Sequence, residues 1–173
     1  MTDAAKNRLR VIVVMGVSGA GKTRIGRALA EAIGWAFVDA DEYHSPENKA
    51  KMHRGEGLSD ADREPWLAEV RAALVSELQS GHHVVLACSA LRQRYRDELH
   101  PPRVPADTVQ FVFLNVPREV LAERLRTRKG HFATITLLDS QLATLEPPRE
   151  ALWVDGTRTP SDIVATIRQA LEV

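Results

Sequence analysis

Residues 16–23 read Gly-Val-Ser-Gly-Ala-Gly-Lys-Thr and match the pattern GxxxxGK[ST]. Glycines in such a loop allow successive backbone N–H groups to point inward, where they donate to phosphate oxygens. Lys22 supplies a positive charge for the β- and γ-phosphates, and Thr23 supplies a hydroxyl ligand for Mg²⁺. The pattern therefore predicts a site for ATP and Mg²⁺, with phosphate contacts from Gly16, Ser18, Gly19, Ala20, Gly21, Lys22 and Thr23.

Two carboxylates, Asp39 and Asp41, follow the second apolar run of the chain. Open α/β folds bind ligands at the carboxyl edge of their parallel strands, where these two residues are expected to lie. Phosphoryl transfer to an alcohol needs a carboxylate that orients the hydroxyl and accepts its proton. Asp41 is the candidate base, and helix capping by Asp41 or turn formation by Asp39 is the structural alternative.

A basic segment follows Pro117 and ends near His131. Arg124 and Arg128 are four residues apart, so they share one face of a helix. A mobile lid over about 124–136 would close on the triphosphate and exclude water, with both arginines on phosphate and Arg128 stabilising the transition state. A solvated, charged helix face is the alternative.

These groups require a scaffold in which strands and helices alternate. Short β-branched runs alternate with segments of helical periodicity, a pattern typical of a mostly parallel sheet covered on both faces. We expect one domain over 1–173, of the α/β class, with three layers and five strands. The predicted strands are 11–15, 36–40, 83–87, 109–116 and 151–154, and the predicted helices are 22–33, 65–78, 117–128 and 161–171.

Charge and composition exclude several classes of function. The 173 residues include 23 basic and 23 acidic side chains, so no net field attracts nucleic acid or an anionic membrane. No apolar run approaches the roughly 20 residues that cross a bilayer, and the N-terminus lacks the pattern of a secretory signal. With a single cysteine, Cys88, the sequence favours a cytoplasmic protein without nucleic-acid or membrane partners.

The phosphate loop alone does not select a reaction, because kinases and switch proteins share it. A GTPase carries an Asn-Lys-x-Asp motif for guanine, and the Asn48-Lys49 pair is not followed by that aspartate. Two classes stay open: a kinase of a small alcohol, and a regulatory module that binds nucleotide without catalysis.

Several segments, taken in order, resemble the gluconate kinase family. They are the phosphate loop, Asp39-Ala40-Asp41 with His44, Cys88-Ser89-Ala90-Leu91 with Tyr95-Arg96, and Arg128-Lys129-Gly130-His131-Phe132. The resemblance covers nearly the whole chain. It implies a shikimate-kinase-like P-loop fold, ATP-dependent phosphorylation of D-gluconate at the 6-hydroxyl group, and a homodimer. A related kinase of another small hydroxy acid, such as shikimate, is the nearest alternative.

The resemblance also implies the contacts of the acceptor. Asp41 would face the reactive end of gluconate, and Ser89 would hold a water on Mg²⁺ or else cap the next helix. The loop 156–160 would contact adenine. The candidates for the hydroxyls and the carboxylate of gluconate are His44, Lys51, Arg92, Arg96 and His131.

Two positions depart from the family pattern near the expected acceptor site. Arg92 replaces a common lysine, which keeps the charge but changes its geometry. Gly57 replaces a common proline and is expected to loosen the turn before the helix of Trp66.

Overall fold

A single parallel sheet organises the computed structural model, which describes residues 8, 10–128 and 131–173, without the side chains of 131–133. Its strands lie in the order β2-β3-β1-β4-β5. The central strand β1 pairs with β3 on one side and β4 on the other, and its apolar residues are completely buried because both faces of the sheet are covered. The strands are β1 (Val11–Met15), β2 (Ala36–Asp39), β3 (Val84–Ala87), β4 (Val109–Asn115) and β5 (Ala151–Asp155).

Helices cover both faces of this sheet. They are α1 (Lys22–Ile33), α2 (Pro46–His53), α3 (Asp60–Gln79), α4 (Gln93–Leu99), α5 (Arg118–Arg126), α6 (His131–Thr144) and α7 (Pro160–Leu171). Helices α1 and α7 pack together, as do α3 and α4, and α5 packs against α6. The predicted three-layer α/β fold is therefore confirmed. Within the described ranges, no helix has the length and apolar character that crossing a bilayer requires.

Helix α3 begins at Asp60, so the predicted start at Pro65 is wrong. The Ser59 hydroxyl accepts a hydrogen bond from the N–H of Asp62, and the Asp62 carboxylate accepts one from the N–H of Ser59 at 2.9 Å. This capping box satisfies two N–H groups at the helix start, whereas Pro65 removes only one bond from the second turn. The earlier start adds a turn to α3 and places Arg63 on its buried face.

Candidate active site

The phosphate loop connects β1 to α1 and depends on two glycines with left-handed backbone. Gly19 and Gly21 have φ angles of +85° and +96°. A Cβ atom on Gly19 would lie 3.3 Å from the side chain of Leu125, so the loop also packs closely under α5. The loop ends where the N-terminus of α1 adds its positive dipole end, which is suited to a phosphate chain.

Lys22 and Asp41 line the same cavity beside this loop. Lys22 is partly buried, and its Nζ donates to the backbone oxygen of Val17 at 3.0 Å. Burial lowers the pKa of Lys22, while the charge of Asp41 opposes that shift. Asp41 faces the open cleft, yet crowding by protein atoms removes enough hydration to raise its pKa, against the effect of Lys22. Asp41 therefore has a raised proton affinity, as a general base requires.

A second acidic residue, Asp39, organises the start of α1. The Thr23 hydroxyl donates to Asp39 Oδ2 at 2.8 Å, and Asp39 Oδ1 accepts from the N–H of Asp41 at 3.0 Å. Hydroxyl and carboxylate oxygens are ligands that Mg²⁺ accepts, directly or through water. Among the described residues, no group of three or more His, Cys, Asp or Glu side chains is arranged around a metal position. The residues present therefore fit a magnesium ion held mainly by phosphate oxygens and waters.

The cavity has a volume of about 390 Å³ and lies between three parts of the fold. The phosphate loop and the ends of β2 and β3 form its floor, α2 and α3 form one wall, and α6 forms the other. Its lining residues are Ser18, Lys22, Asp41, His44, Lys49, Met52, His53, Leu58, Arg63, Trp66, Ser89, Leu137 and Gln141.

His44 is a buried side chain that lines the cavity. Its ring stacks on Trp66 with 4.2 Å between centroids, and Trp66 Nε1 donates to the backbone oxygen of Ala40 at 2.7 Å. Burial, and then the charge of Arg63, lower the pKa of His44 to about 4. Its Nδ1 atom is buried without a hydrogen-bond partner in the described chain. Because this nitrogen is buried, a ligand reaches it only if the His44 ring or a neighbouring group shifts.

Arg63 adds a third positive side chain to the cavity, beside Lys22 and Lys49. Its guanidinium donates to the backbone oxygen of Leu58 and to the hydroxyl of Tyr95, and it lies 5.2 Å from the Tyr95 ring centroid. Arg63 is 7% exposed, and within the described ranges no ion pair joins it to an acidic side chain. A buried cation without a carboxylate partner is suited to an anionic ligand.

The sequence assigned no role to Arg63, although a signal was present. Arg63 falls on the same face of α3 as Trp66, Val70 and Leu74, which are all buried. An arginine within the apolar stripe of an amphipathic helix is unusual, because burial of a charge is costly unless a partner or ligand compensates it.

Three residues expected at the acceptor do not line the cavity. Lys51 Nζ contacts both carboxylate oxygens of Asp62, at 2.9 and 3.0 Å, and Arg92 Nη1 lies 3.7 Å from Asp60 Oδ2. Arg96 is 4% exposed and donates to the backbone oxygens of Ala90 and Glu146, at 2.7 and 3.0 Å. The structure thus assigns Arg96 a framework role, since it supports a turn in which Ala90 has a φ of +46°.

The two lid arginines occupy different positions. Arg124 donates through Nη1 to the backbone oxygen of Gly19 at 3.0 Å, and through Nη2 to that of Gly156 at 2.7 Å. It contacts carbonyl oxygens of the phosphate loop rather than the N–H groups that would face phosphate. Arg128 is exposed, and its charge contributes to lowering the pKa of Lys22. The expected lid spans the end of α5 and the start of α6, but the His131 side chain, like residues 129 and 130, lies outside the described part.

Comparison with known proteins gives consistent matches. The shikimate kinase family model matches residues 18–153. A probable gluconokinase from Xenopus tropicalis is 50% identical, and the alignment covers 91% of this chain and 90% of the relative. The gluconokinase of Gluconobacter oxydans is 44% identical, over 90% of this chain and 86% of the relative.

Solved structures agree with these matches. The crystal structure of a gluconokinase from Sinorhizobium meliloti is 41% identical, with a TM-score of 0.79 over 95% of this chain and 98% of the other. A sugar kinase from Janibacter is 40% identical, with a TM-score of 0.85 over 96% of both chains. Shikimate kinase from Acinetobacter baumannii, in complex with shikimate, is 21% identical with a TM-score of 0.59 and shares the fold.

Proposed function

Because the chain belongs to the gluconokinase family of shikimate-kinase-like P-loop kinases, we propose that it transfers the γ-phosphoryl group of ATP to the 6-hydroxyl group of D-gluconate. The products are 6-phospho-D-gluconate and ADP. One observation carries the assignment of the site: Lys22 of the phosphate loop, the carboxylate of Asp41 and the buried guanidinium of Arg63 line one cavity.

The nucleotide is held by the phosphate loop. Backbone N–H groups of the phosphate loop, the ammonium of Lys22 and the N-terminus of α1 bind the β- and γ-phosphates. The N–H of Ser18 is not among them, because it donates to Gln141 Oε1. Thr23 and Asp39 would hold Mg²⁺, with Ser89 contributing through a water. When bound, the ion neutralises charge on the β- and γ-oxygens. The Thr23 hydroxyl donates its hydrogen to Asp39 Oδ2, so the lone pairs of its oxygen would be free for the ion.

The acceptor is held between the walls of the cavity. Arg63 binds the carboxylate of gluconate, since its guanidinium lacks an acidic partner in the described chain and matches a carboxylate geometrically. His44 Nδ1 hydrogen-bonds a hydroxyl of the polyol chain. Lys49 adds positive charge at the rim, where it also lowers the pKa of Asp41. Each polar group left unpaired by a smaller alcohol would cost affinity, which is how such a site rejects one.

The chemical step is a direct displacement. The 6-hydroxyl oxygen attacks the γ-phosphorus, and its proton passes to the Asp41 carboxylate. The bond from the γ-phosphorus to the bridging oxygen breaks, and ADP leaves with both bonding electrons. Arg128 approaches the phosphates as the lid closes and compensates the developing negative charge, while closure keeps water from competing as nucleophile.

A coupled assay of ADP release tests this function directly. Gluconate should stimulate turnover with ATP, whereas shikimate should not. A better kcat/KM with shikimate would assign the chain to the other kinase class. Tight nucleotide binding without turnover on either acceptor would favour a regulatory module.

The assembly and location of the enzyme are part of the proposal. The family resemblance implies a homodimer, and the single cysteine, Cys88, favours the cytoplasm. Sedimentation velocity at micromolar concentration tests the dimer, since one chain and two chains differ twofold in mass. Cell fractionation of the tagged protein tests the location.

A further inference from the structure

Gln141 of helix α6 contacts both the phosphate loop and the acceptor cavity. Its Oε1 accepts a hydrogen bond from the backbone N–H of Ser18 at 2.7 Å. Both Ser18 and Gln141 line the acceptor cavity. Because a backbone N–H can be accepted only by the carbonyl oxygen of a carboxamide, the contact also fixes the orientation of the group. The Nε2 donor is on the other branch of the carboxamide, and no hydrogen bond joins it to another residue of the described chain.

Hydrogen bonds anchor the chain that follows Gln141. Beyond it, the N–H of Glu146 donates to the backbone oxygen of Leu91 at 2.8 Å, and the Glu146 carboxylate accepts from the N–H of Gln93 at 3.0 Å. These bonds hold the end of α6 against the segment that follows β3, which also carries Ser89. The carboxamide is therefore presented from an anchored part of the helix.

The acceptor wall reaches α6 next to Gln141. A Cβ atom on Gly57, in the segment between α2 and α3, would collide with Ser140 Oγ and lie 3.3 Å from Ser140 Cβ. Gly57 thus allows a close approach of this segment to α6, a role that the sequence did not indicate. This close contact joins the segment before α3 to Ser140, the residue next to Gln141.

Resting on the proposed function, we infer that Gln141 is a positioning residue that couples acceptor binding to the phosphate loop. Its oxygen restrains the N–H of Ser18, and its Nε2 donates to a hydroxyl group of gluconate. An acceptor that fills the cavity immobilises the carboxamide, and so fixes the loop that holds the nucleotide. Gluconate and Mg·ATP should therefore bind with positive cooperativity, and each should raise the affinity of the other by the same factor.

Calorimetry on the whole protein tests the coupling. The dissociation constant of a non-hydrolysable ATP analogue with Mg²⁺ is measured with and without saturating gluconate. In the wild type, gluconate should tighten nucleotide binding by roughly 5- to 150-fold. In Gln141→Met, which keeps the length without the amide, the ratio should fall to within about twofold of unity. Gln169→Met, an exposed change on α7, is the matched control and should keep the wild-type ratio.

A second variant separates the two branches of the carboxamide. Gln141→Glu retains an oxygen for the N–H of Ser18 but removes the donor to gluconate, so it should also lose the coupling. Melting temperatures of both variants establish that they are folded. Full coupling in Gln141→Glu would show that Nε2 is not used and would overturn the inference.

Other outcomes are equally distinct. An unchanged ratio in Gln141→Met, or no cooperativity in the wild type, overturns the role of Gln141 while gluconate turnover leaves the proposed function intact. If Gln141→Met binds nucleotide more tightly without gluconate, Gln141 competes with phosphate for the N–H of Ser18. That result would reject the coupling. Absence of wild-type turnover with gluconate would instead overturn the proposed function.

Discussion

The hydroxyl of Thr23 donates to the carboxylate of Asp39 across 2.8 Å, and the other oxygen of Asp39 accepts from the N–H of Asp41 at 3.0 Å. One side chain therefore orients the proposed magnesium ligand and fixes the backbone of the proposed base. Asp39 therefore positions groups on both the metal side and the acceptor side of the site.

Replacement of Asp39 should mainly lower the apparent affinity for Mg²⁺. Asp39→Asn keeps the size of the side chain but loses the charge that orients Thr23. The apparent affinity for Mg²⁺ should fall by roughly 10- to 100-fold, with much of kcat recovered at saturating metal. Titration of activity with Mg²⁺ at fixed ATP measures the shift. An unchanged titration curve would remove Asp39 from the metal site.

The acid limb of the pH profile should belong to Asp41. Its pKa is raised from the ordinary value of 3.8, chiefly by loss of hydration, and only the ionised form accepts the proton of the substrate. Activity should therefore fall as the pH decreases through this raised pKa. In Asp41→Asn, kcat should be lower by roughly 10²-fold or more, and the acid limb should disappear.

Profiles of kcat/KM against pH for both proteins measure this effect. Binding of an ATP analogue, which Asp41→Asn should leave nearly intact, is the control. A variant with near-normal kcat, or with the same acid limb, would exclude Asp41 as the base.

Much of the fold could be predicted because the strands are short apolar runs that are buried on both faces. Every predicted strand is present within one or two residues of its expected bounds. Helices α2, α4 and α6 were not predicted. Helices α2 and α4 have only 8 and 7 residues, too few to display a clear period. In α6, Leu138 and Leu142, with Leu145 just beyond the helix, lie at helical spacing and pack in or against the core, so this signal was present but was not used. For α2, the pair Ser45 and Pro46 was a usable signal, since the Ser45 hydroxyl accepts from the N–H of Asn48.

The phosphate loop was also predictable, because its chemistry depends on backbone conformation and local spacing. The acceptor contacts were not, since they depend on which arginines turn inward after packing. Arg63 lines the cavity from the first turns of α3. Arg96 instead donates hydrogen bonds to the backbone oxygens of Ala90 and Glu146. Both arginines are buried and donate to backbone oxygens, so sequence spacing alone cannot show which of them also lines the cavity.

Removal of the charge on Arg63 should specifically weaken binding of the gluconate carboxylate. In Arg63→Met, the KM for gluconate should rise by roughly 10- to 150-fold, as expected for loss of a hydrogen-bonded charge. The KM for ATP should stay near the wild-type value. Arg71→Met, an exposed change on the same helix, is the control.

A neutral polyol sharpens this prediction. Glucitol lacks the carboxylate but keeps the chain of hydroxyls, so its weak use as an acceptor should differ little between wild type and Arg63→Met. An equal loss of activity on both acceptors would show that Arg63 supports the fold of the cavity rather than the carboxylate.

His44 should make stability depend on pH below neutrality. Its pKa is about 4 in the folded protein against 6.5 ordinarily, so the unfolded chain binds the proton more readily. The stabilisation is complete above pH 6.5 and is lost as the pH falls from there towards 4. Urea unfolding at pH 7 and pH 5 should show a loss on the order of 2 kcal/mol from this group. His44→Phe keeps the stack on Trp66, and its free energy of unfolding should fall less between pH 7 and pH 5 than that of the wild type. An equal fall in both proteins would contradict a buried, neutral His44.

Arg124 should govern nucleotide binding through the spacing of two loops. Its guanidinium reaches the carbonyl oxygens of Gly19 and Gly156 together, and the single ammonium of a lysine cannot make both contacts. In Arg124→Lys, the KM for ATP should rise about tenfold or more, because a charge-assisted hydrogen bond is lost. The KM for gluconate should not change, and Arg126→Lys, an exposed change on the same helix, should leave both constants intact. A parallel rise in both constants for Arg124→Lys would show instead that Arg124 positions the whole of α5, and with it the closure of the lid.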